Sequence, residues 1–402
     1  MKKIQENAMN KNLYIEVEAK QLNHHDEKIC GDVFLKKRIK EDRRIIVVLS
    51  DGMGHGVKAN VLATLTATMA LNFTVEHRDP EKIAEIIMKT LPVCSQRRIS
   101  YATFTVLDLE IDGKVSILEY DNPPVMVFRN NKVLNLSRQI IELQNSELQG
   151  KKLTISSFYP KLFDRIVLVS DGVAQSGMGS DKFPFGWESE NIISYVESVL
   201  EMDDKISAVK LSEKIVNKAV ANDRYILKDD TSCVSVYFRF PRKLLLVTGP
   251  PISASSDKEL AEIVKNYDGK KIICGGTTTN IISRELNLKV VDSLEFTDNE
   301  LPPISYMEGI DLVTEGILTL NKVWKILSNL GPDYRPGKGP ADQIVKLILE
   351  SDHIDIIVGT KINEAHQDPN VPVDLEIRRT ITSRIADVLE NKLLKHITIK
   401  YL

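Results

Sequence analysis

The 402-residue chain predicts an α/β protein in two parts, and two patterns carry that prediction. Up to about residue 240, short strand-like runs outnumber helical ones, and the helical stretches come in pairs. That arrangement suggests two sheets with helices on both outer faces, an α/β/β/α sandwich. Beyond Phe240-Pro241-Arg242 strands and helices alternate strictly, which argues for a mostly parallel sheet wrapped by helices in a smaller three-layer α/β domain. The expected domains are residues 1–240 and 241–402. With 43% hydrophobic and 27% charged residues, each part has material for its own core.

In the first part, strands are expected at Leu13–Ala19, Asp32–Lys37 and Arg44–Leu49, then helices from about Val57 to Phe73 and Pro80 to Thr90. Asp79-Pro80-Glu81 is a good helix opening, with proline in the first turn and an acid at the positive end of the dipole. Strand patterns follow at Ala102–Leu109, Val115–Tyr120, Val125–Arg129, Lys151–Ile155 and Arg165–Val169, with Asp112-Gly113 as a hairpin turn. Helices at about Ser189–Glu201 and Lys205–Asn222 precede a strand at Thr231–Arg239. In the second part, strands are expected at Lys243–Val247, Lys271–Cys274, Leu288–Val291, Asp311–Val313, Ile354–Val358 and Ile397–Tyr401. The intervening helices are Asp257–Asn266, Thr278–Leu286, Leu318–Leu330, Ala341–Glu350 and Glu376–Lys392; Gly331–Pro340 reads as a loop.

One piece of grammar recurs. Ile45–Leu49 runs into Ser50-Asp51-Gly52-Met53-Gly54-His55-Gly56, and Ile166–Val169 runs into Ser170-Asp171-Gly172. Each places a carboxylate where an apolar strand breaks. A lone Asp-Gly is only a turn signal. Here Gly31-Asp32 and Asp229-Asp230 add further acids at strand starts. Clustered carboxylates repel one another, so such a set is tolerable with bound cations or raised pKa values. Oxygen donors of this kind suit hard ions, Mn²⁺ or Mg²⁺, over zinc.

In order and spacing these four motifs resemble the metal-dependent (type 2C-like) Ser/Thr protein phosphatases over residues of about 12 to 240. Asp-Gly-Met-Gly-His-Gly is similar to the bacterial branch typified by the stage II sporulation protein E phosphatase. The resemblance implies the four-layer sandwich and a water that bridges two divalent ions and attacks phosphoserine or phosphothreonine directly. It also implies ligand roles: Asp51 bridging both ions, the Gly52 carbonyl completing one, Asp32 reaching one, and Asp171 and Asp229 holding the other. Alignment makes Asp229 the ligand; Asp230 is either a second ligand or a turn residue capping the strand start. His55 would be a general acid or a loop residue shaping the glycine turn. Eukaryotic relatives grip the substrate phosphate with an arginine; none occurs before Arg38, and Lys20 is the nearest cation. In sporulation-type relatives the helix after the glycine turn is a regulatory switch. Here that segment, Val61–Ala70, is apolar nearly all round, which reads equally as a core helix.

The implied partner is a phosphoprotein, a bacterial regulatory protein resembling an anti-sigma antagonist, in cytoplasmic signal transduction. A net charge of -3 gives no electrostatic case for nucleic acid or a membrane surface. Lys36-Lys37-Arg38 and Arg97-Arg98 read as solvated faces. No apolar stretch is long enough to span a bilayer and Met1–Asn7 lacks a signal-peptide core, so the expectation is cytoplasmic. Cys30, Cys94, Cys233 and Cys274 form no Cys-x-x-Cys pair; only Cys30, beside Gly31-Asp32, invites a functional reading. His24-His25, near Asp26 and Glu27, reads as an exposed loop. In the second part, Val247-Thr248-Gly249-Pro250-Pro251 and Cys274-Gly275-Gly276-Thr277-Thr278-Thr279-Asn280 end strands. The latter opens a helix as an anion cradle or as an ordinary hydroxyl-capped turn. Glu308-Gly309-Ile310-Asp311 and Glu315-Gly316 add acids without a recognisable site. Two alternatives stand beside the enzyme: a non-catalytic signalling scaffold, and a sensor binding a small ligand or a regulatory protein through the second domain. The oligomeric state is left open, a homodimer included.

Overall fold

The computed structural model describes residues 13–39, 41–77, 79–90, 102–111, 113–143, 152–331, 334–361, 374–393 and 395–402. Met1–Asn7, Cys94, Arg97-Arg98, Asp112, Lys151 and part of the 331–340 loop lie outside the described residues. The chain divides into two compact units, Met1–Phe240 and Pro241–Leu402.

In chain order the first unit contains β1 (Tyr14–Leu22), β2 (Val33–Ile39), β3 (Arg44–Gly52), α1 (Gly56–Val75) and α2 (Pro80–Thr90). Then come β4 (Ala102–Glu110), β5 (Val115–Tyr120), β6 (Met126–Arg129), β7 (Lys132–Val133), β8 (Arg138–Glu142), β9 (Lys152–Phe158) and β10 (Arg165–Val169). The unit ends with α3 (Asp171–Ala174), α4 (Glu188–Met202), α5 (Ala208–Asn222) and β11 (Thr231–Arg239). Two antiparallel sheets result, in the orders β1-β11-β10-β6-β7 and β2-β3-β4-β5-β9-β8.

The apolar run at β3 is continuous because the strand is buried on both faces. Ile45, Val47 and Leu49 meet Val17, Leu168, Val234 and Val236 of the other sheet in the central core. Ile46 and Val48 point the opposite way, under Ala67, Ala70 and Leu71 of α1 and Ile83 and Ile87 of α2. On the far side, Val167, Val169 and Cys233 pack under Ile192 and Val196 of α4 and Ile215 of α5. The four-layer α/β/β/α sandwich is therefore present. Cys233 is one of its small buried hydrophobes.

Several elements differ from the sequence reading. β7, β8 and α3 were not anticipated: β7 has two residues and α3 four, too short to show a period. The residues of β8, Arg-Gln-Ile-Ile-Glu, lie at a sheet edge and are mostly exposed, so nothing forces an alternating pattern. α5 starts at Ala208, not Lys205, because the Ser207 hydroxyl accepts the Lys210 N–H as its N-cap. α1 buries Ala59, Ala63, Ala67 and Ala70 but leaves Val57, Val61 and Leu65, spaced by four, exposed. Its near-uniform hydrophobicity thus does not correspond to burial all round.

The second unit contains β12 (Lys243–Thr248), a 3₁₀ turn at Ala254–Ser256, α6 (Asp257–Asn266), β13 (Lys270–Cys274), α7 (Gly276–Leu286), β14 (Val290–Asp292) and β15 (Ser305–Met307). β16 (Ile310–Thr314), α8 (Ile317–Ser328), α9 (Pro340–Leu349), β17 (His353–Val358), α10 (Asp374–Asn391) and β18 (His396–Tyr401) follow. The sheet order is β14-β15-β16-β13-β12-β17-β18; the pairs from β16 to β18 are parallel, and β14 and β15 form an antiparallel edge. One face packs on α8, α9 and α10, the other on α6 and α7, giving three layers. β15, the strand missing from the sequence reading, is three residues long with Tyr306 exposed.

Candidate metal centre

Four strand ends of the first unit bring their acids together. Asp51 is the penultimate residue of β3, opposite Thr103 of β4. Asp32 directly precedes β2, whose first residue Val33 pairs with Ser50. Asp171 follows β10 and opens α3, and Asp229-Asp230 directly precede β11. Serines flanking the motif aspartates tie β10 to β11: Ser170 N–H donates to the Ser232 carbonyl, and Ser232 N–H donates to Ser170 Oγ at 3.0 Å. Gly172 is required because a Cβ there would stand 2.2 Å from the Asp230 carbonyl oxygen.

The electrostatics show that the carboxylates face one another. Burial is the first cause that lifts Asp32 to about 7, and the charges of Asp230 and Asp171 add to it. Asp51 is pushed well above the usual carboxylate range, first by burial, then by the charges of Asp32 and Asp171 and by Asp171 as hydrogen-bond partner of the protonated form. Burial and the charge of Asp171 lift Asp229 to about 6. Both oxygens of Asp32, which is 3% exposed, and Oδ2 of Asp230, which is 2% exposed, are buried with no hydrogen-bond partner. Orphaned carboxylate oxygens carry a large desolvation cost, and a hard divalent cation is the group that would satisfy them. The donor set, all aspartate and backbone oxygen, fits Mn²⁺ or Mg²⁺.

The two adjacent aspartates divide their work differently from the turn-cap reading of Asp230. Asp229 caps the local turn, its Oδ1 accepting the Asp230 N–H at 2.8 Å. Asp230 is the buried one: its Oδ1 accepts the His24 N–H at 3.0 Å and its free Oδ2 sits against Gly31, where a Cβ would meet it at 2.6 Å. Gly52 is buried, and a Cβ would stand 2.1 Å from the Ala59 carbonyl oxygen, so close packing of α1 demands the glycine. Lys20 does not face the cluster. Ile15, Val17 and Ala19 take the core side of β1, so Lys20 takes the helix side, and it is the next residue, Gln21, that reaches the site. Gln21 Nε2 donates to the Asp32 carbonyl and to Ser232 Oγ.

His55 is exposed, and its Nδ1–H donates to Glu27 Oε1 at 2.7 Å. That bond is the first cause of its raised pKa, with the charges of Asp230 and Asp229 contributing. Glu27 also lies under Gly56, whose φ is +73° and where a Cβ would meet the carboxylate at 2.6 Å. The glycine loop is therefore docked on the 24–27 turn. His24, expected to be a plain loop residue, is half-buried and its ring stacks on His55 with centroids 4.5 Å apart. His24, His25 and Asp26 group their donor atoms within 4.8 Å, but they are engaged locally. His25 Nδ1–H donates to the Leu227 carbonyl, and His24 Nδ1 accepts the Asp26 N–H. Burial, then Asp32 and Asp230, push the Cys30 thiol up to about 12, which disfavours its thiolate. The parts played by Gln21, Glu27 and Ser232 were not anticipated, because single polar residues between strands carry no pattern. Only the serine in both Ser-Asp-Gly repeats offered a signal.

Residues 41–239 match the family model of Stage II sporulation protein E (SpoIIE). Among solved structures, similarity extends to the phosphatase domain of the cell fate determinant SpoIIE from Bacillus subtilis, in a crystal form without domain swapping. There the identity is 13% and the TM-score 0.43, covering 57% of this chain and 94% of that one. A second SpoIIE structure from Bacillus subtilis, the PP2C phosphatase domain with a fragment of the regulatory domain, gives 15% identity and a TM-score of 0.47 over 57% of this chain and 64% of that one. The RsbU and RsbW domains of Rv1364c from Mycobacterium tuberculosis give 15% and 0.43, over 62% and 67%. No curated protein matches the chain. No helix among the described residues is long and apolar enough to cross a membrane. Residues 41–239 thus form a domain of the SpoIIE family.

Proposed function

We propose that the first unit hydrolyses phosphoserine or phosphothreonine on a regulatory protein, in cytoplasmic signal transduction. The observation that supports this most is the set of buried, partnerless oxygens on Asp32 and Asp230, inside a group of aspartates whose pKa values are raised. Asp51 would be shared by two divalent cations, Mn²⁺ or Mg²⁺; Asp32 and the Gly52 carbonyl would complete one, and Asp171 and Asp229 the other. Asp230 is close enough in charge to Asp32 to serve as a further ligand. Bound there, the cations would neutralise phosphoryl oxygens and supply an activated water.

The chain's own residues have separate tasks. Hydrolysis joins the water oxygen to phosphorus and breaks the bond from phosphorus to the serine oxygen, which must then gain a proton. His55 suits that step, since Glu27 holds Nδ1–H and leaves Nε2 to present the proton. Gln21, Ser170 and Ser232 hold the strand ends in place. The exposed stripe Val57, Val61 and Leu65 on α1, directly after the glycine loop, supports a regulatory contact there. A partner resembling an anti-sigma antagonist is the proposed substrate class.

The scaffold alternative is disfavoured physically, since a non-catalytic fold gains nothing from mutually repelling buried carboxylates. Phosphate release from a phosphoserine peptide by the full chain, with Mn²⁺ and then with a chelator, tests the proposal. Metal-dependent release that Asp51→Asn abolishes is the expected result; release indifferent to chelator and to that substitution would overturn it.

A further inference from the structure

We propose that the turn Gly275–Thr278 in the second unit binds a phosphate group, either inorganic phosphate or the phosphoryl end of a small molecule. The turn leaves the carboxyl end of β13, a central parallel strand, and opens the eleven-residue helix α7. Gly275 is the N-cap at φ 120° and ψ 131°, a conformation open to glycine, and it supplies no side-chain cap. Its own N–H donates to the Thr314 carbonyl and its carbonyl accepts the Thr279 N–H. The N–H groups of Gly276, Thr277 and Thr278 then have no partner among the described residues. Free donors and the positive end of a helix dipole attract an anion.

A second, independent observation lies in the side chain of Thr278. It is 1% exposed and its Oγ1 is buried without any hydrogen-bond partner. Thr279, one residue on, does what a helical threonine usually does and donates Oγ1–H back to the Gly275 carbonyl. Thr278 does not. Its Oγ1 lies toward the turn, 3.6 Å from where a Cβ on Gly275 would stand. A buried hydroxyl without a partner is costly, and a phosphate oxygen at the turn would satisfy it.

Access and contrast support the same assignment. Gly276 and Thr277 are exposed, and a Cβ on Gly276 would meet nothing within 4 Å. The neighbouring helix α8 starts beside this turn, with Gly316 packed near Gly275, but its first turn has a carboxylate of its own. Glu315 Oε2 accepts from Thr319 N–H and Oγ1–H. Of two adjacent helix starts, one carries its own carboxylate and the other lacks an acceptor. Of the acids of 308–315 that resembled no site, Asp311 is likewise engaged, its Oδ2 accepting the Lys271 N–H.

The test uses the full chain in chelator, with glycine and threonine ¹⁵N-labelled, titrated with inorganic phosphate against chloride at matched ionic strength. Reading individual amides separates this site from any phosphate binding in the first unit. Saturable shifts at Gly276 and Thr277 are expected. Thr278→Val should weaken binding about tenfold. Gly276→Pro, which removes one N–H at a helix position that suits proline, should do the same. Gly276→Ala should bind as the parent does. Should Thr278→Val fail to fold, Gly276→Pro carries the test alone. Shifts that never saturate, marking an adventitious ion only, or unchanged affinity in the folded variants, would overturn the proposal.

Discussion

Both units have unsatisfied polar groups at strand ends, but with opposite polarity. In the first, β3, β10 and the starts of β2 and β11 converge on carboxylates with too few donors, Asp32 above all. In the second, β13 ends on backbone N–H groups and a threonine hydroxyl with too few acceptors. Each arrangement costs stability when empty and regains it when a counter-charge arrives. The contrast teaches that glycine serves different ends in similar-looking turns. Gly52 and Gly172 let backbone pack against backbone, whereas Gly276 faces open space where something else can approach.

The sharpest way to break the contrast is to remove charge from the first site. Asp51→Asn should lower metal-dependent phosphatase turnover by at least about 100-fold, measured at saturating Mn²⁺. Thr278→Val, at the other pole, should leave that turnover unchanged. A smaller loss is expected from Glu27→Gln, which loosens His55: about fivefold on a phosphoserine peptide and little on an aryl phosphate, whose leaving group needs no proton. Equal losses on both substrates would mean that Glu27 only shapes the loop.

Stability should respond as well. The folded pKa of Asp32, about 7, lies above its ordinary 3.8. The folded chain therefore holds that proton more tightly than the unfolded chain. Metal-free stability should be greatest below about pH 4 as far as this group is concerned and should fall as pH rises through 7. Mn²⁺ should reverse the loss, as read by thermal melts across pH. The least effect is expected from Asp230→Asn. It keeps an acceptor for the His24 N–H but removes a repelling charge, so it should raise the metal-free melting temperature by about 3 °C while weakening Mn²⁺ binding less than Asp229→Asn. A lower melting temperature would show that the charge on Asp230 is stabilising.

Much of this was legible in the sequence because burial on both faces writes itself as continuous apolar runs. β3 and β10 are such runs, and the aspartate after each marks where the sandwich opens. The strict alternation in the second half likewise announced the parallel sheet. Solvated or very short elements, such as β8 and α3, left no trace because nothing constrains their residues. Which neighbour of a pair turns inward was equally hidden. Asp230 rather than Asp229 is fully buried because the 24–27 turn, some two hundred residues away, supplies its donor. Gln21 faces the site and Lys20 does not because of strand phase, which becomes certain only once the core side of β1 is known.

The most direct test of the account is a calorimetric titration of Mn²⁺ into the chelator-stripped full chain, with Asp51→Asn alongside. The account predicts saturable binding of two ions per chain, with protons released as the aspartates of raised pKa ionise, and loss of at least one ion in the variant. An absence of binding, or a variant that binds as the parent does, would contradict it.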